Sequence, residues 1–535
     1  MNTSRRTPWK SAPLTVIAVS LCVAAFSAPS ISADTITGTF QVVWGDPVPL
    51  EGGVPQYRYF LTTEDGQTWN LLADETTLRA AGGVLAFNRQ RVVVTGSVKA
   101  DGDTLVARAI EVDGNRDREL GDRGPVGSQP YVWILCRFAD DPSTPEQPAW
   151  YQTQALGPHP SLDDFWREVS FNIINIAGSE VHGWYDLPEP RSYYIYDMDP
   201  NEPGDEADLD QLVLDATELA DPDVYFPDFI GINLIFNADL DCCSWGGGRA
   251  LDYDGVTQWY GVTWMAEWGW REQGYLGHEM GHALGLPHSS GPYGYTYDSD
   301  WDVMSGAFGT CAVWDPVYGC LGTHTIGPYK DMLGWISAGR RYELTTATPI
   351  VQTLTLYDLA AAPPGSEYHL LRVPWITDPS QFYTIERRRM TGYDQNLPGE
   401  GAIMHEVDPA RGSDALVIDI DGNGNCNDEG AIWRSGEAFV DVPNDFVVVF
   451  EGTDDYRTTI TFSNVPSDPV YVDGGHSGYQ DGSFSQPWDT VYEGQGSVIP
   501  GGEVKIDPGS YAEPLTIYKP CTLRVWGTGT VTIGR

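Results

Sequence analysis

The sequence predicts a central α+β domain, with a mixed sheet and one helix that carries a cluster of histidines, flanked by all-β domains. The flanking segments alternate polar and apolar residues in short runs between glycine and aspartate turns, which is typical of β-strands. The central segment mixes such runs with the apolar stripes of amphipathic helices. A length of 535 residues allows roughly three or four domains.

Residues 1–33 have the pattern of a signal peptide. Arg5 and Arg6 precede an apolar run from Leu14 to Phe26, and Ala33 offers a small-residue cleavage site. The run is short for a membrane span, and no later segment is long and apolar enough to cross a bilayer. We therefore expect a secreted, extracellular protein without a membrane span.

The chain is strongly acidic, with 75 acidic and 31 basic residues and a net charge of −44. This charge argues against nucleic acid and anionic membranes as partners. Adaptation for solubility is the simpler interpretation, and calcium binding is a second one that is compatible with it.

Residues 34–115 are predicted to form a small all-β domain, as a barrel or a sandwich. Runs such as "RVVVTGSVKA" and "TLVARAIEV" alternate as strands do. Whether this domain is a pro-segment is left open. Residues 34–128 contain no cysteine, which argues against latency through a cysteine placed on a metal.

Residues 125–345 are predicted to form the central domain. "SLDDFWREVSFNII" begins with Ser161 as a helix N-cap, followed by acids in the first turn. "DEADLDQLVLDATELA" is a second predicted helix, and "EWGWREQGYLGHEMGHALGL" is a long third one. "YVWILCRFAD" and "GINLIFNA" are predicted strands between them.

The third helix contains "HEMGHALGLPH", the strongest motif of the chain. His278 and His282 are four residues apart and therefore share one helix face. Gly285 can adopt a left-handed conformation that ends the helix and brings His288 back as a third ligand. Three histidines with one open position are typical of catalytic zinc, and Glu279 stands where the general base is expected.

The alternative is a helix with ordinary packed or solvated histidines. The motif fixes five residue types at set spacings, so a chance match in this chain is on the order of 1 in 10⁴ to 10⁵. We therefore favour the metal-site interpretation.

The motif resembles that of the metzincin zinc peptidases, and "DWDVMSG" resembles their Met-turn, with Met304 as the methionine. Across residues 130–410, "DDFWREVSFNIINIAGSEVHGWYDLP", "YKDMLGW" and "YTIERRRMTGYDQNLPGEGAIMHEVD" are similar to the immune inhibitor A and gametolysin families. The resemblance implies an α+β zincin-like (metzincin) catalytic domain with Zn²⁺ on His278, His282 and His288. Typical immune inhibitor A members have aspartate as third ligand, so His288 is closer to gametolysin.

One position departs from a pattern found in some metzincins. These have a tyrosine two residues after the methionine, where this chain has Gly306. Tyr293, Tyr295 and Tyr297 precede Met304 and are alternative donors to an oxyanion, although loop aromatics are more often packing residues.

Residues 346–465 are predicted to be β-rich, and residues 466–535 resemble the first coils of a parallel β-helix. One or two coils bury too little, so this segment either packs on the preceding domain or is short relative to its relatives. Asp419, Asp421 and Asn423 in "DIDGNGNCNDEG" suggest a calcium site, with an acidic surface turn as an even alternative. Gly430 replaces the glutamate of an EF-hand, so the loop is not a standard one.

Other polar groups have simpler predictions. Asp298, Asp300 and Asp302 are predicted to lie in a solvated loop, and His324 and His405 to be packing residues rather than ligands.

Seven cysteines follow the signal peptide, and the odd count leaves one thiol free or joined to another chain. Cys311 and Cys320 flank a short loop and are predicted to form a disulfide. "CCSWGGG" is predicted to be a flexible turn.

Two functions follow as hypotheses. The first is a secreted zinc endopeptidase that acts on a protein or peptide substrate, with Glu279 as general base. The second is a surface-binding or adhesive protein on an inactive metzincin scaffold. The intact Glu279 beside three ligands favours the enzyme. Oligomeric state is not predicted.

Overall fold

The structure is a computed structural model. It describes residues 34–48, 53–100, 102–114, 124–197, 205–295, 297–306, 311–345, 351–441, 443–444, 446–463, 468–477, 480, 482–484, 486–498, 501–517 and 520–534. The predicted signal peptide lies outside the described residues.

The first described domain is a closed five-stranded barrel, which decides between the two predicted architectures. The strands pair in the order β2-β3-β5-β4-β1, and β1 also pairs with β2, which closes the barrel. Phe40, Val92 and Leu105 are among the buried residues of its interior. Its elements are β1 (Asp34–Pro47), β2 (Gln56–Thr62), β3 (Thr68–Leu72), α1 (Glu75–Ala80), β4 (Arg91–Val98) and β5 (Thr104–Val112).

The next part alternates strands and helices. The strands are β6 (Gly127–Ser128), β7 (Tyr131–Arg137), β8 (Ile174–Asn175), β9 (Glu180–Asp186), β10 (Ile195–Tyr196), β11 (Glu206–Ala207), β12 (Gly231–Phe236), β13 (Cys243–Tyr253), β14 (Val256–Met265) and β15 (His288–Ser290). The helices are α2 (Pro148–Leu156), α3 (Leu162–Val169), α4 (Arg191–Tyr194), α5 (Leu209–Ala220) and α6 (Gln273–Leu284).

Two predicted helices are present, although the first ends at Val169, before the positive φ angles of Phe171 and Asn172, and the third is also shorter than predicted. Ser161 caps α3 by accepting from the backbone N–H of Asp164, and Asp208 caps α5 in the same way. The third helix begins only at Gln273. The residues predicted to form its first turns are not helical, because tertiary packing holds them in another conformation. The buried indole of Trp270 there donates to the Phe236 carbonyl at 3.0 Å.

The mixed sheet predicted for the centre is present. Strands β14, β12, β7 and β9 run parallel in that order, and β13 lies antiparallel beside β14. The last four residues of β1 pair with β13, so the barrel and the central strands form one ten-stranded sheet. Helix α6 packs across β13 and β14, which places its histidine face beside the end of β1.

The β-rich part that follows contributes two further sheets. One has the order β15-β23-β22-β21-β20-β18 and the other β19-β26-β25-β24. The six-stranded sheet contains strands from both sides of residue 345, so the two predicted domains pack closely there. The elements are β16 (Trp314–Asp315), β17 (Gly319–Cys320), α7 (Gly327–Met332), β18 (Arg341–Glu343), β19 (Val351–Tyr357), β20 (Leu370–Pro374), β21 (Phe382–Arg388), β22 (Gly401–Val407), β23 (Ser413–Val417), β24 (Ala438–Asp441), β25 (Phe446–Thr453) and β26 (Arg457–Ser463).

The C-terminal segment forms parallel strands, as the β-helix resemblance predicts locally. Strands β27, β28 and β30 pair in parallel, and so do β29 and β31. Tyr492, in the short helix Val491–Ser497, packs with Val447 and Val449, so this segment packs on the preceding domain. The elements are β27 (Val470–Val472), α8 (Val491–Ser497), β28 (Glu503–Ile506), β29 (Gly509–Tyr511), β30 (Thr522–Val525) and β31 (Val531–Ile533).

Four short 3₁₀-helices complete the described secondary structure: Val84–Ala86, Phe226–Asp228, Gly392–Asn396 and Glu429–Ala431. Among the helices that the structure describes, none combines the length and apolar character that crossing a bilayer requires.

The predicted disulfide between Cys311 and Cys320 is confirmed. A second disulfide joins the adjacent Cys242 and Cys243. The prediction of a flexible turn for "CCSWGGG" is wrong, because Cys243 opens strand β13 and the glycines lie between close-packed elements. Cys136 and Cys426 belong to neither bridge.

Candidate metal centre

Three residues of the motif on helix α6 lie in one buried site. His278, Glu279 and His282 are fully buried in the last turns of the helix. The helix ends at Gly285, whose φ of 102° is left-handed, as predicted. The N–H of Leu286 then donates to the Gly281 carbonyl at 2.9 Å, and the chain turns back toward the helix.

The turn brings His288 to the two helix histidines. The Nε2 atom of His282 lies 3.1 Å from Nε2 of both His278 and His288. Nδ1 of His278 donates to the Val303 carbonyl at 2.6 Å, and Nδ1 of His282 donates to the Leu286 carbonyl at 2.7 Å. An imidazole that donates from Nδ1 can offer the lone pair of its Nε2 atom to a metal ion, and the Nε2 atoms of His278 and His282 face one another. Such an arrangement calls for a cation between them.

A fourth group reaches the same place from the barrel. Asp46, at the end of β1, is fully buried, with Oδ1 2.7 Å from Nε2 of His288. Its Oδ2 lies 3.2 Å from Nε2 of both His278 and His282. Four donors on a tetrahedral ion with bonds of ~2.0–2.1 Å are about 3.3 Å apart, so this donor set fits zinc.

Burial determines the protonation of the centre. Burial and then the neighbouring His288 lower the pKa of His282 to about 3, so this imidazole is neutral at physiological pH, as metal binding requires. Burial raises the pKa of Glu279 well above its ordinary value, and the charge of Asp46 raises it further.

Glu279 is one of the described residues whose buried polar atoms have no hydrogen-bond partner. Both carboxylate oxygens are buried, and neither has a hydrogen-bond donor among the described residues. The helix lies tightly on β13 at this point, because a Cβ added to Gly246 would be 2.8 Å from Cβ of His282 and closer still to the Glu279 carbonyl. A buried, unsatisfied carboxyl beside three histidines suits a group that exchanges protons with a reactant.

Met304 is buried against helix α6 at Gly281, the residue before His282. Its side chain packs against Gly281, where an added Cβ would lie 3.1 Å from the Met304 Cε. The same loop holds His278 through the Val303 carbonyl. Asp302 is fully buried and accepts from the Met304 N–H at 3.0 Å and from the Ser289 hydroxyl at 2.7 Å. The solvated-loop prediction is therefore wrong for Asp302, which fixes the loop instead.

Of the three candidate tyrosines, Tyr297 reaches the centre. Its hydroxyl donates to Oδ1 of Asp46, and its ring lies 5.4 Å from the His288 ring. Tyr293 instead donates to Asp419, and Tyr295 is 67% exposed. Gly306 packs against the Tyr297 backbone, which leaves no room for a tyrosine there.

The sequence did not identify the residues that the barrel contributes. Trp44 stacks on the His282 ring at 4.8 Å, and the Tyr57 hydroxyl lies 3.4 Å from Nδ1 of His288. Asp46 and His288 are 242 residues apart in the chain. Local patterns carry no signal for a contact at that separation.

The predicted calcium loop brings three carboxylates together. Carboxylate oxygens of Asp419, Asp421 and Asp428 lie within 4.8 Å of one another. The Asn423 amide donates to Asp421 at 3.0 Å and to Asp428 at 2.9 Å. Asp428 is an acid that the sequence did not single out, and the calcium site with Asn423 stays a prediction.

The other two histidines singled out in the sequence lie outside the cluster of possible metal ligands. Nε2 of His324 lies 3.0 Å from Glu168, and its Nδ1 is 2.9 Å from Nζ of Lys330. His405 is buried within β22. Both agree with the packing interpretation.

No protein-family model matches this chain, and no curated protein is significantly similar to it. Any functional assignment therefore depends on the chemistry of the centre itself.

Proposed function

We propose that the protein is a secreted zinc-dependent endopeptidase. One observation carries the proposal: the Nε2 atoms of three imidazoles converge beside Glu279, a buried carboxyl without a hydrogen-bond donor among the described residues. Three nitrogen ligands, with an acid that is not one of them, are the composition of a catalytic rather than a structural zinc site. Strands β13, β14, β12, β7 and β9 with helix α6 support a zincin-like catalytic domain as part of the proposal.

His278, His282 and His288 would hold the ion. When bound, zinc supplies a water whose pKa is lowered to ~7 and polarises the scissile carbonyl. The backbone carbonyls of Val303 and Leu286 orient the rings of His278 and His282 by accepting from Nδ1. Ligand orientation of this kind keeps the nitrogen lone pairs directed at the ion.

Glu279 would move the proton. A carboxylate oxygen of Glu279 takes the proton of the attacking water and later gives it to the leaving amine. The Tyr297 hydroxyl would donate to the oxyanion that forms on the carbonyl, once Asp46 no longer accepts from it.

The test compares Glu279→Gln with unchanged Glu279. Asp46 lies where a water would complete the four ligands of the ion, so both proteins also carry Asp46→Ala. The readouts are zinc content and cleavage of several unfolded proteins. We expect equal zinc and a loss of turnover of about 10²–10⁴-fold in Glu279→Gln. Glu267→Gln, on the turn before α6, serves as the control and should cleave normally.

The binding-protein hypothesis makes the opposite prediction. Zinc bound without cleavage of any protein, with Glu279 intact and Asp46 replaced, would overturn the peptidase proposal in its favour.

A further inference from the structure

We propose that Arg388 is a positioning residue of the metal centre. It lies in the β-rich part of the chain and fastens residues 301–304, the methionine loop, which in turn contacts the segments that carry His278 and His288. The inference rests on the proposed function only in taking these histidines as ligands of the ion. The β-rich part would then belong to the centre instead of being a separate neighbour.

The methionine loop contacts both histidine segments. The Val303 carbonyl accepts from Nδ1 of His278 at 2.6 Å. Ser289, the residue after His288, donates its hydroxyl to Asp302 at 2.7 Å. A displacement of this loop would therefore turn the His278 imidazole and shift the strand that begins at His288, and metal affinity is sensitive to the orientation of its ligands.

Arg388 fastens the first residue of this loop. It is the last residue of β21, and its side chain is fully buried. Nη1 donates to the Trp301 carbonyl at 2.9 Å and to Glu386 at 3.0 Å. Nε and Nη2 donate to the two carboxylate oxygens of Asp394 at 3.0 and 2.7 Å. Two buried acids therefore fix the guanidinium, and the guanidinium fixes the loop.

The same network reaches His288 by a second route. Glu386 also accepts from the N–H of Gly327, the first residue of α7. The Tyr329 hydroxyl on α7 lies 2.7 Å from the His288 carbonyl. The arginine and its acids thus hold two elements, and each of these contacts a segment that carries a candidate ligand.

The contacts require an arginine. A guanidinium donates in several directions in one plane, whereas a lysine ammonium is a point charge on a flexible stem. Arg388→Lys keeps the positive charge, and without that charge Glu386 and Asp394 would be buried and uncompensated. A single ammonium nitrogen cannot hold both oxygens of Asp394 in the guanidinium geometry and also reach Trp301. The substitution therefore removes the fastening of the loop while it retains the charge.

The test uses the full chain and two readouts other than turnover. Chelator competition measures zinc affinity, and visible absorption of the Co²⁺-substituted chain reports the geometry of the ligands. In Arg388→Lys we expect zinc affinity to fall by about tenfold and the cobalt bands to shift, because the carbonyl that orients His278 is no longer held in place.

Two control variants separate this effect from others. Arg372→Lys replaces an arginine of the same sheet that pairs with Glu343, and it should leave zinc affinity and the cobalt bands unchanged. Phe450→Leu trims a buried ring in the core of the β-rich part, so it should lower the urea midpoint of unfolding without shifting the bands.

Unchanged zinc affinity and cobalt bands in a folded Arg388→Lys chain would overturn the proposal, and so would an equal shift in Phe450→Leu. If Arg388→Lys does not fold, Trp301→Phe decides, because it removes the second fastening of the loop, the indole N–H that donates to the Cys426 carbonyl at 2.8 Å. It should also weaken zinc binding, and unchanged affinity in a folded Trp301→Phe chain would overturn the proposal. Zinc affinity that depends on Arg388 in a chain that cleaves no protein, even with Asp46 replaced, would support the positioning role and reject the peptidase function.

Discussion

At the scale of single residues, Tyr329 connects the third histidine to a buried acid. Its hydroxyl lies 2.7 Å from the His288 carbonyl and also contacts Oδ1 of Asp414. One hydroxyl proton cannot serve two acceptors. Tyr329 donates to the ionised Asp414 carboxylate. Burial raises the pKa of Asp414 to about 7, so below that pH the protonated carboxyl can donate to the Tyr329 hydroxyl, which then donates to the His288 carbonyl.

This acid predicts a pH dependence of stability. The folded-state pKa is above the unfolded value of ~3.9, so the folded chain keeps a proton that the unfolded chain has lost. The contribution of Asp414 is therefore present in full below pH ~4 and is lost as pH rises toward 7. Relative to Asp414→Asn, the unchanged chain should lose roughly 1–4 kcal/mol of unfolding free energy over that interval.

Urea unfolding at several pH values between 4 and 8 measures this difference. Asp239→Asn, at an exposed position, is the control and should follow the unchanged chain. A constant difference between Asp414→Asn and the unchanged chain across this range would contradict the proton assignment.

At the scale of elements, the contact between α6 and β13 fixes the centre. Gly246 allows the helix to approach the strand, because any Cβ there would overlap the Glu279 carbonyl and the His282 Cβ. We expect Gly246→Ala to destabilise the fold by about 1–3 kcal/mol and to weaken zinc binding at least tenfold. Chelator competition and thermal unfolding measure the two effects.

Gly452 provides the matched control for this substitution. It is also a strand glycine, but an added Cβ would meet nothing within 4 Å. Gly452→Ala should therefore leave both stability and zinc affinity nearly unchanged. The same zinc affinity in Gly246→Ala and Gly452→Ala would argue that the helix does not depend on this close approach.

Much of the local structure could be predicted from the sequence at this scale. The caps of α3 and α5, the helix end at Gly285 and the strands of the barrel follow from side-chain chemistry and periodicity. The prediction of a flexible turn for "CCSWGGG" is wrong. A glycine run has the same local pattern whether it forms a turn or a strand against a helix, and only the packing distinguishes them.

At the scale of the whole molecule, the barrel and the central strands share one continuous sheet. The ten-stranded sheet carries β1 from the barrel to the edge of β13, and Arg89 of the barrel donates to the Ala283 carbonyl at the end of α6. The sequence predicts two separate domains here. It could identify three candidate ligands that lie within eleven residues, but not Asp46, which is brought to them by tertiary structure alone.

The most direct test of the central claim is the zinc content of the purified full chain, measured by mass spectrometry of the metal. We predict one zinc per chain, lost in His282→Ala and retained in His159→Ala, whose imidazole is exposed and paired with Asp164. A chain that binds no zinc, or equal zinc in the two histidine variants, would contradict the metal centre.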